Sequence, residues 1–205
     1  MKFIISRYNQ DITWLEDYTD DVILYDRSEM PISPLPSYIK QSTIVPNLGT
    51  DLVDKFTFII DNYDNLPDVA VYTKCNLFKY ITKEEFDKVK DNKTFTPLLT
   101  MNHKVYEPVC RYVDGMYYEI NNMWYLNSHF CKNKMVPHEL QEILGISQMD
   151  YVPFAPGSNY IIPKENIMKH SKEFYIKLRS YLEWDRYPGE AQIIERGLYT
   201  LWHTP

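Results

Sequence analysis

Glycine is scarce in this chain, with 6 among 205 residues, and no glycine-rich turn follows the first apolar run. That run hands over to Arg7-Tyr8-Asn9, which argues against a methyltransferase. No G-x-S-x-G sequence is present, so the strand-to-helix elbow of a serine hydrolase is missing as well. Cysteine is sparse too. Cys75, Cys110 and Cys131 are odd in number and show no C-x-x-C spacing. They indicate neither a disulfide scaffold nor a zinc site, and a reducing, cytoplasmic setting suits them. No stretch approaches the roughly 18 to 20 apolar residues of a membrane span. One lysine and a short apolar run before Arg7 make too little for a signal peptide. Basic residues are in deficit: the formal charge is −6, unlike a protein that grips nucleic acid through its phosphates.

What is present is the material of a folded domain. Hydrophobic residues make up 44%, and a chain of 205 residues is long enough to bury a sizeable core. Tyrosine is abundant, at 18. A phenol both stacks and hydrogen-bonds, which suits sugars and other hydroxyl-bearing ligands, but tyrosine fills ordinary cores equally well.

Three short runs, at 2–6, 21–25 and 69–73, are apolar at nearly every position, as in strands covered on both faces. Residues 10–18 between the first two suggest a helix of about two turns. Between the second and third, Leu52, Val53, Phe56, Ile59 and Ile60 recur at helical spacing over 50–63, with Thr50 as a candidate cap. Strand, helix, strand, helix, strand is the pattern of a parallel sheet with right-handed crossovers. A short polar helix is expected over 83–90, and no clear period follows from 100 to 136. "VCRYVDGMYYEIN" predicts a hairpin turning at Asp114-Gly115. "VPHELQEILGI" predicts a short helix ending at Gly145. "SNYIIP" is strand-like, and two amphipathic helices, one over 164–184 and one from Gly189, close the chain.

Ligands of open α/β sheets bind past the carboxyl ends of the strands. Ser6, Arg7, Tyr8, Asn9 and Asp11 stand there after the first run, offering paired donors and acceptors beside an aromatic face. The plain alternative is that Asn9 and Asp11 cap a helix. Asn47 and Gly49 lead into the second helix and can present backbone N–H groups to an anion. Asp51 works against an anion there and suits ribose hydroxyls or a metal, while Lys55, one turn on, is in reach of a phosphate. His103, His129, His138 and His170 have no partner at metal-ligand spacing and are read as structural.

Five stretches in order, "RYNQDITWL", "VILYDRS", "VPNLGTDLVDKFTFIIDNYDNLPDVAVYTK", "APGSNYIIPKENIMKHSKEFY" and "IERGLYTLWH", resemble glycosyltransferases of the nucleotide-sugar-binding GT-A fold and a family of GT-A-like proteins. In that family the blocks run as arginine-tyrosine-asparagine-glutamate, asparagine-x-glycine-arginine-glutamate, leucine-proline-aspartate and a terminal tryptophan-histidine. The chain is also similar to the N-terminal domain of a chlorella-virus glycosyltransferase that acts on the major capsid protein. The resemblance covers most of the chain except about 80 to 150. It implies a single GT-A-like α/β domain over 1–205, a mixed central β-sheet flanked by helices. Residues 1–80 would form the nucleotide-binding βαβ half and 81–205 the acceptor side; whether further domains belong to a longer chain stays open. The implied activity is sugar transfer from a UDP-sugar to a glycan or glycoprotein acceptor, such as a viral capsid protein, with Mn²⁺ or Mg²⁺ as cofactor. The alternative is a non-catalytic nucleotide- or sugar-binding domain.

The same resemblance assigns parts. Asp26, with Ser28, stands where an acidic residue commonly receives the N–H of uracil; both are also ordinary turn formers. Thr73-Lys74-Cys75-Asn76 replaces the Asp-x-Asp that usually holds the metal. Lys74 would neutralise the diphosphate as a point charge without metal; alternatively the metal is held mainly by phosphates and water, with the Thr73 hydroxyl or the Asn76 carbonyl as a weak ligand. Thr50-Asp51 replaces arginine-glutamate. His203 stands where a C-terminal histidine completes the metal site in several such enzymes. Gly157, Ser158 and Asn159 would wall the donor sugar. Inverting transfer needs a carboxylate to take the acceptor's proton; Glu190 is the first candidate, Glu195 the second and Asp150 the outsider. Glu190 at a helix start is also plain dipole chemistry.

Overall fold

The structure, a computed structural model, describes residues 1–100 and 108–203; His103 lies outside the described residues. Six strands form the main sheet: β1 (Lys2–Arg7), β2 (Val22–Asp26), β3 (Ile39–Ile44), β4 (Val69–Lys74), β5 (Thr96–Pro97) and β9 (Tyr160–Pro163). Their order is β3-β2-β1-β4-β9-β5. The first four are parallel, with Phe3 opposite Val22 on one side and Val71 on the other. β9 runs antiparallel to β4, and β5 antiparallel to β9. The chain is therefore a single α/β domain whose mixed sheet takes strands from both halves of the sequence.

The apolar runs follow from burial on both faces. Ile4, Ile23, Tyr25 and Tyr72 point to one side, where they meet Leu52, Phe56 and Ile59 of α1 (Thr50–Asp61) and the helix α6 (Gly189–His203). Phe3, Ile5, Val22, Leu24 and Val71 point to the other, against Leu15, Leu77 and, from α2 (Lys83–Val89), Phe86. Phe56 is fully enclosed, so Phe56→Ala would cost about 3–5 kcal/mol.

A smaller antiparallel sheet holds β6 (Cys110–Val113), β7 (Met116–Ile120) and β8 (Tyr151–Pro153). β6 and β7 turn at Asp114-Gly115, both at positive φ (49° and 80°), the conformation that matches strand twist in a two-residue hairpin. Helix α3 (Val136–Ile143) ends at Gly145, whose φ is +70°, with Gly145 N–H donating to Glu142 O and Ile146 N–H to Gln141 O. These two bonds close the helix end.

Three local expectations change, and one strand goes unread. Residues 10–18 make a five-residue 3₁₀ turn, Thr13–Asp17, rather than a two-turn α-helix. β3 carries Lys40, Gln41, Ser42 and Thr43 on a sheet edge, so it lacks an apolar pattern and escapes sequence reading. The expected helix over 164–184 is two helices, α4 (Lys164–Ile167) and α5 (Lys172–Ser180). Ser171 starts the second by accepting Phe174 N–H on its hydroxyl. The cap of α1 falls on Gly49 at φ 63°, while the Thr50 hydroxyl still accepts Leu52 N–H at 3.4 Å.

Candidate functional site

Where β1, β2 and β4 end, the chain opens a cleft of about 270 Å³. Ser6 and Arg7 line it from β1 with Tyr8 just past it, Arg27 from just past β2, Thr50 and Asp51 from the start of α1 with Asn47 ahead of it, and Lys74 from the end of β4 with Asn76 beyond it. The sequence reading named all of these except Arg27; it gave Thr50 as a helix cap and as the residue replacing the family's arginine.

Asp51 organises the floor. Its carboxylate is 5% exposed, with Lys55 on one oxygen and Lys74 Nζ 3.1 Å from the other. Ser158 donates its hydroxyl to Asp51 at 2.5 Å and accepts from Lys55 at 3.1 Å. Burial by itself would push the Asp51 carboxyl up, but Lys55, Lys74 and the Ser158 hydroxyl outweigh it and hold the group well below the ordinary value. Lys55 is 1% exposed and committed to Asp51, so the expectation that it reaches a phosphate is replaced by a buried structural ion pair. Burial pulls its ammonium down from the usual lysine value.

The other two carboxylates are closed as well. Asp26, 1% exposed, accepts from Arg7 Nη1 on both oxygens at 3.0 and 2.9 Å, and from the N–H groups of Ser28 and Ile32. The Ser28 hydroxyl accepts from Arg7 at 2.7 Å and from Asn9 N–H at 2.7 Å. Asp26, Ser28 and Asn9 therefore fix Arg7 and the loop leaving β1, and a uracil N–H would find the Asp26 oxygens taken. Asp54 takes both Nε and Nη2 of Arg27, at 3.1 and 2.5 Å. Burial pushes the Asp54 carboxyl up to about 6, against the pull of Arg27. Asp11 accepts both the N–H and the hydroxyl of Thr13, one residue ahead of the Ile12 position that starts the 3₁₀ turn.

At the end of β4, Thr73 and the backbone N–H of Lys74 both donate to Asn159 Oδ1, at 2.8 and 3.1 Å. Asn159 and Ser158 are wholly buried, so they brace the strand end from within instead of walling a sugar. Gly157 has φ +86°, and a Cβ there would stand 2.7 Å from the Tyr80 ring, so the close approach it permits is to Tyr80. Cys75 donates its thiol to Ser6 O at 3.1 Å, and burial raises that thiol far above its usual value.

A second arm comes from the loop before α6. Gly49 N–H donates to Asp185 O at 2.8 Å and Thr50 N–H to Arg186 O at 3.3 Å. This docks Arg186 and Tyr187 over the cleft, with Gln192 one turn into α6. The Arg186 guanidinium lies 4.5 Å from the Tyr8 ring centre and 5.0 Å from that of Tyr187. With its amide turned to satisfy both groups, Asn47 accepts from Arg186 Nε at 2.9 Å and Nη2 at 3.2 Å. Sequence reasoning missed Arg186; its one signal is a loop arginine between aromatics, "WDRY", in an acidic chain. Arg7, Arg27, Lys74 and Arg186 line the cleft against the one lining carboxylate, Asp51, with Lys55, Asp26 and Asp54 paired behind them. A net positive site inside a chain of charge −6 suits an anionic ligand.

The remaining candidates separate. Glu190 is 1% exposed and accepts Lys132 N–H at 2.8 Å, while Gly189 N–H donates to Phe130 O at 2.7 Å. It packs against the 130–132 loop and does not line the cleft. Glu195 is half-buried, accepts Gly157 N–H at 2.8 Å, and acts electrostatically on Lys74. His203 rests on Phe95 and Tyr199, with ring centres 5.6 and 4.8 Å apart, and is not brought to Asn76. Trp202 is the buried anchor beside it. Asp150 is exposed at the edge of the small sheet. His170 stacks on Phe174 at 4.4 Å, a structural role.

Residues 3–204 match DUF3431, described as a protein of unknown function. The chain belongs to the DUF3431 family. Neither a curated protein nor a solved structure gives a significant match. No helix among the described residues is long and apolar enough to cross a membrane.

Proposed function

We propose that this DUF3431 protein binds a UDP-sugar in the cleft and transfers the sugar to a hydroxyl of a glycan or glycoprotein. The observation that carries the reading is the net positive cleft at the carboxyl ends of β1, β2 and β4 in an acidic chain. Tyr8 offers an aromatic face, and Ser6, Gln10, Asn47 and Asn76 offer the paired donors and acceptors that a base and ribose need. Glu195, near Lys74 and outside the Glu190 packing, is the carboxylate assigned to the acceptor. In the step proposed, the acceptor oxygen bonds to the anomeric carbon and its proton passes to Glu195. The bond from that carbon to the β-phosphate oxygen breaks, and its electron pair leaves with UDP.

The Mn²⁺ or Mg²⁺ of the GT-A resemblance does not fit these residues. Such ions need oxygen ligands, and Asp26, Asp51 and Asp54 are each already closed by a lysine or arginine, while Glu195, held by Gly157 N–H, is a single carboxylate. Among the described residues no three His, Cys, Asp or Glu side chains stand together as a metal group. The buried position of Glu190 favours one competing reading, a nucleotide-binding module without turnover.

Calorimetric titration with UDP, GDP and CMP tests the binding claim: UDP alone is expected to bind, and no binding by any of the three refutes it. Release of UDP from UDP-glucose, UDP-galactose or UDP-N-acetylglucosamine, assayed with glycan acceptors, separates transferase from binding module.

A further inference from the structure

We propose that the donor diphosphate is neutralised by two side chains, Lys74 and Arg186, acting from opposite walls of the cleft in place of a divalent ion. This rests on the nucleotide-sugar reading. Its starting point is that two lysines share one carboxylate, when one would balance the charge.

Lys55 and Lys74 differ in what they are free to do. Lys55 is sealed at 1% exposure and keeps Asp51 paired whatever Lys74 does. Lys74 keeps 26% of its side chain exposed, lines the cleft, and holds Asp51 at 3.1 Å. It can turn its ammonium toward an arriving phosphate without stranding a buried carboxylate, the outcome that makes breaking a buried pair costly. Burial lowers its proton affinity, but Asp51 and then Glu195 more than reverse that, so it stays a cation. Lys55 is the resident counter-ion and Lys74 the exchangeable one.

Arg186 is the cleft cation with no acidic partner among the described residues. Its plane is fixed by Tyr8 and Tyr187 and its edge by Asn47. A guanidinium held flat with its charge uncancelled is suited to two-point binding of phosphate oxygens. Arg7 and Arg27 line the same cleft but already serve Asp26 and Asp54. A divalent ion entering here would meet ammonium and guanidinium groups before any free carboxylate. As the sugar–oxygen bond breaks, charge grows on the departing diphosphate, and fixed cations are most effective where charge develops.

The test titrates uridine, UMP and UDP into the full chain in EDTA, then with excess Mn²⁺. UDP is expected to bind in EDTA more tightly than UMP and to change little with Mn²⁺. Arg186→Gln and Lys74→Met are each expected to weaken UDP by roughly 10- to 100-fold, the size of a lost charged hydrogen bond, and to weaken uridine far less. Arg186→Lys should recover only part, since a point charge lacks the planar fork. Binding of UDP that vanishes in EDTA and returns with Mn²⁺ overturns the clamp and leaves the nucleotide reading intact. Binding in EDTA that neither variant weakens also overturns it. Failure of both uridine and UDP to bind overturns the nucleotide reading, and the clamp with it. Lys74→Met retains the Lys55–Asp51 pair, and an unchanged melting curve separates lost affinity from lost fold.

Discussion

Lys74 Nζ ends β4 3.1 Å from Asp51 Oδ1, joining a parallel strand to the first turn of α1 across the cleft floor. The pair is supported from behind by Lys55, and this asymmetry sets the stability expected of each variant. Asp51→Asn leaves Lys55 buried with no counter-charge and should destabilise by about 3–5 kcal/mol in urea unfolding. Lys74→Met, which keeps the buried pair, should cost less than about 1 kcal/mol. The pH signature has a definite sign. The Asp51 carboxyl is held below its unfolded value of 3.8, so its stabilisation is complete above that pH. It is lost as the pH falls from there toward the depressed folded value. A profile of stability against pH in which Asp51→Asn runs parallel to the parent below 4 would contradict the pairing.

Gly49 and Gly145 both sit at positive φ, yet they should respond differently to alanine. A Cβ at Gly49 would stand 2.3 Å from Val53 Cγ2 and 2.8 Å from the Leu182 backbone oxygen, with φ at +63°. At Gly145 the nearest atom is Thr200 Cγ2 at 4.0 Å. Gly145→Ala should therefore cost only the left-handed backbone penalty, about 1–2 kcal/mol. Gly49→Ala adds a clash and should cost more than about 3 kcal/mol. Under the nucleotide-sugar reading it should also weaken UDP binding, because Gly49 N–H holds the loop that carries Arg186. Equal shifts in urea midpoint would show that the α1 entrance is looser than its contacts imply.

The legible parts of the fold are those where burial leaves a pattern. Val22–Asp26 is buried at every position and reads as a covered strand, whereas the edge strand β3 shows only Lys, Gln, Ser and Thr between its ends. The break between α4 and α5 hides inside an amphipathic run, because Ser171 is a cap that sequence alone does not separate from a surface serine. In the site, Arg7, Tyr8 and Lys74 were legible as residues just past strand ends. Asp51 was legible as a helix-entry residue. Arg186 was not, since it reaches the cleft through backbone bonds to Gly49 and Thr50, contacts spanning most of the chain. Lys55, Asn159 and Gly157 were named for ligand roles that their burial redirects to the protein's own frame.

Glu195 and Glu190 lie five residues apart on α6 and should fail in different ways. Under the transferase reading, Glu195→Gln removes the proton acceptor and should lower turnover by roughly 10²–10⁴-fold while the donor KM stays near the parent value. Glu190→Gln touches the 130–132 loop instead, so it should shift the melting temperature and leave turnover per folded molecule alone. Equal losses of turnover in both variants would return Glu190 to the acceptor side.

Cys131 reports where Glu190 stands, with no assumption about the reaction. A Cβ added at Gly189 would meet Cys131 Sγ at 2.7 Å, so the start of α6 lies directly on this cysteine. Burial, and after it the neighbouring Glu190, pushes the thiol up from 9.0 to about 12. Thiolate is the reactive form. Iodoacetamide should therefore modify Cys131 roughly a thousandfold more slowly at pH 8 than a thiol of unshifted value, with the rate rising about tenfold per pH unit. Glu190→Gln removes a nearby negative charge, lowers the thiol's proton affinity, and should speed alkylation at fixed pH, read by mass spectrometry of the peptide carrying Cys131. An alkylation rate identical in parent and Glu190→Gln would place the carboxylate away from Cys131 and undo the argument that removed Glu190 from the site.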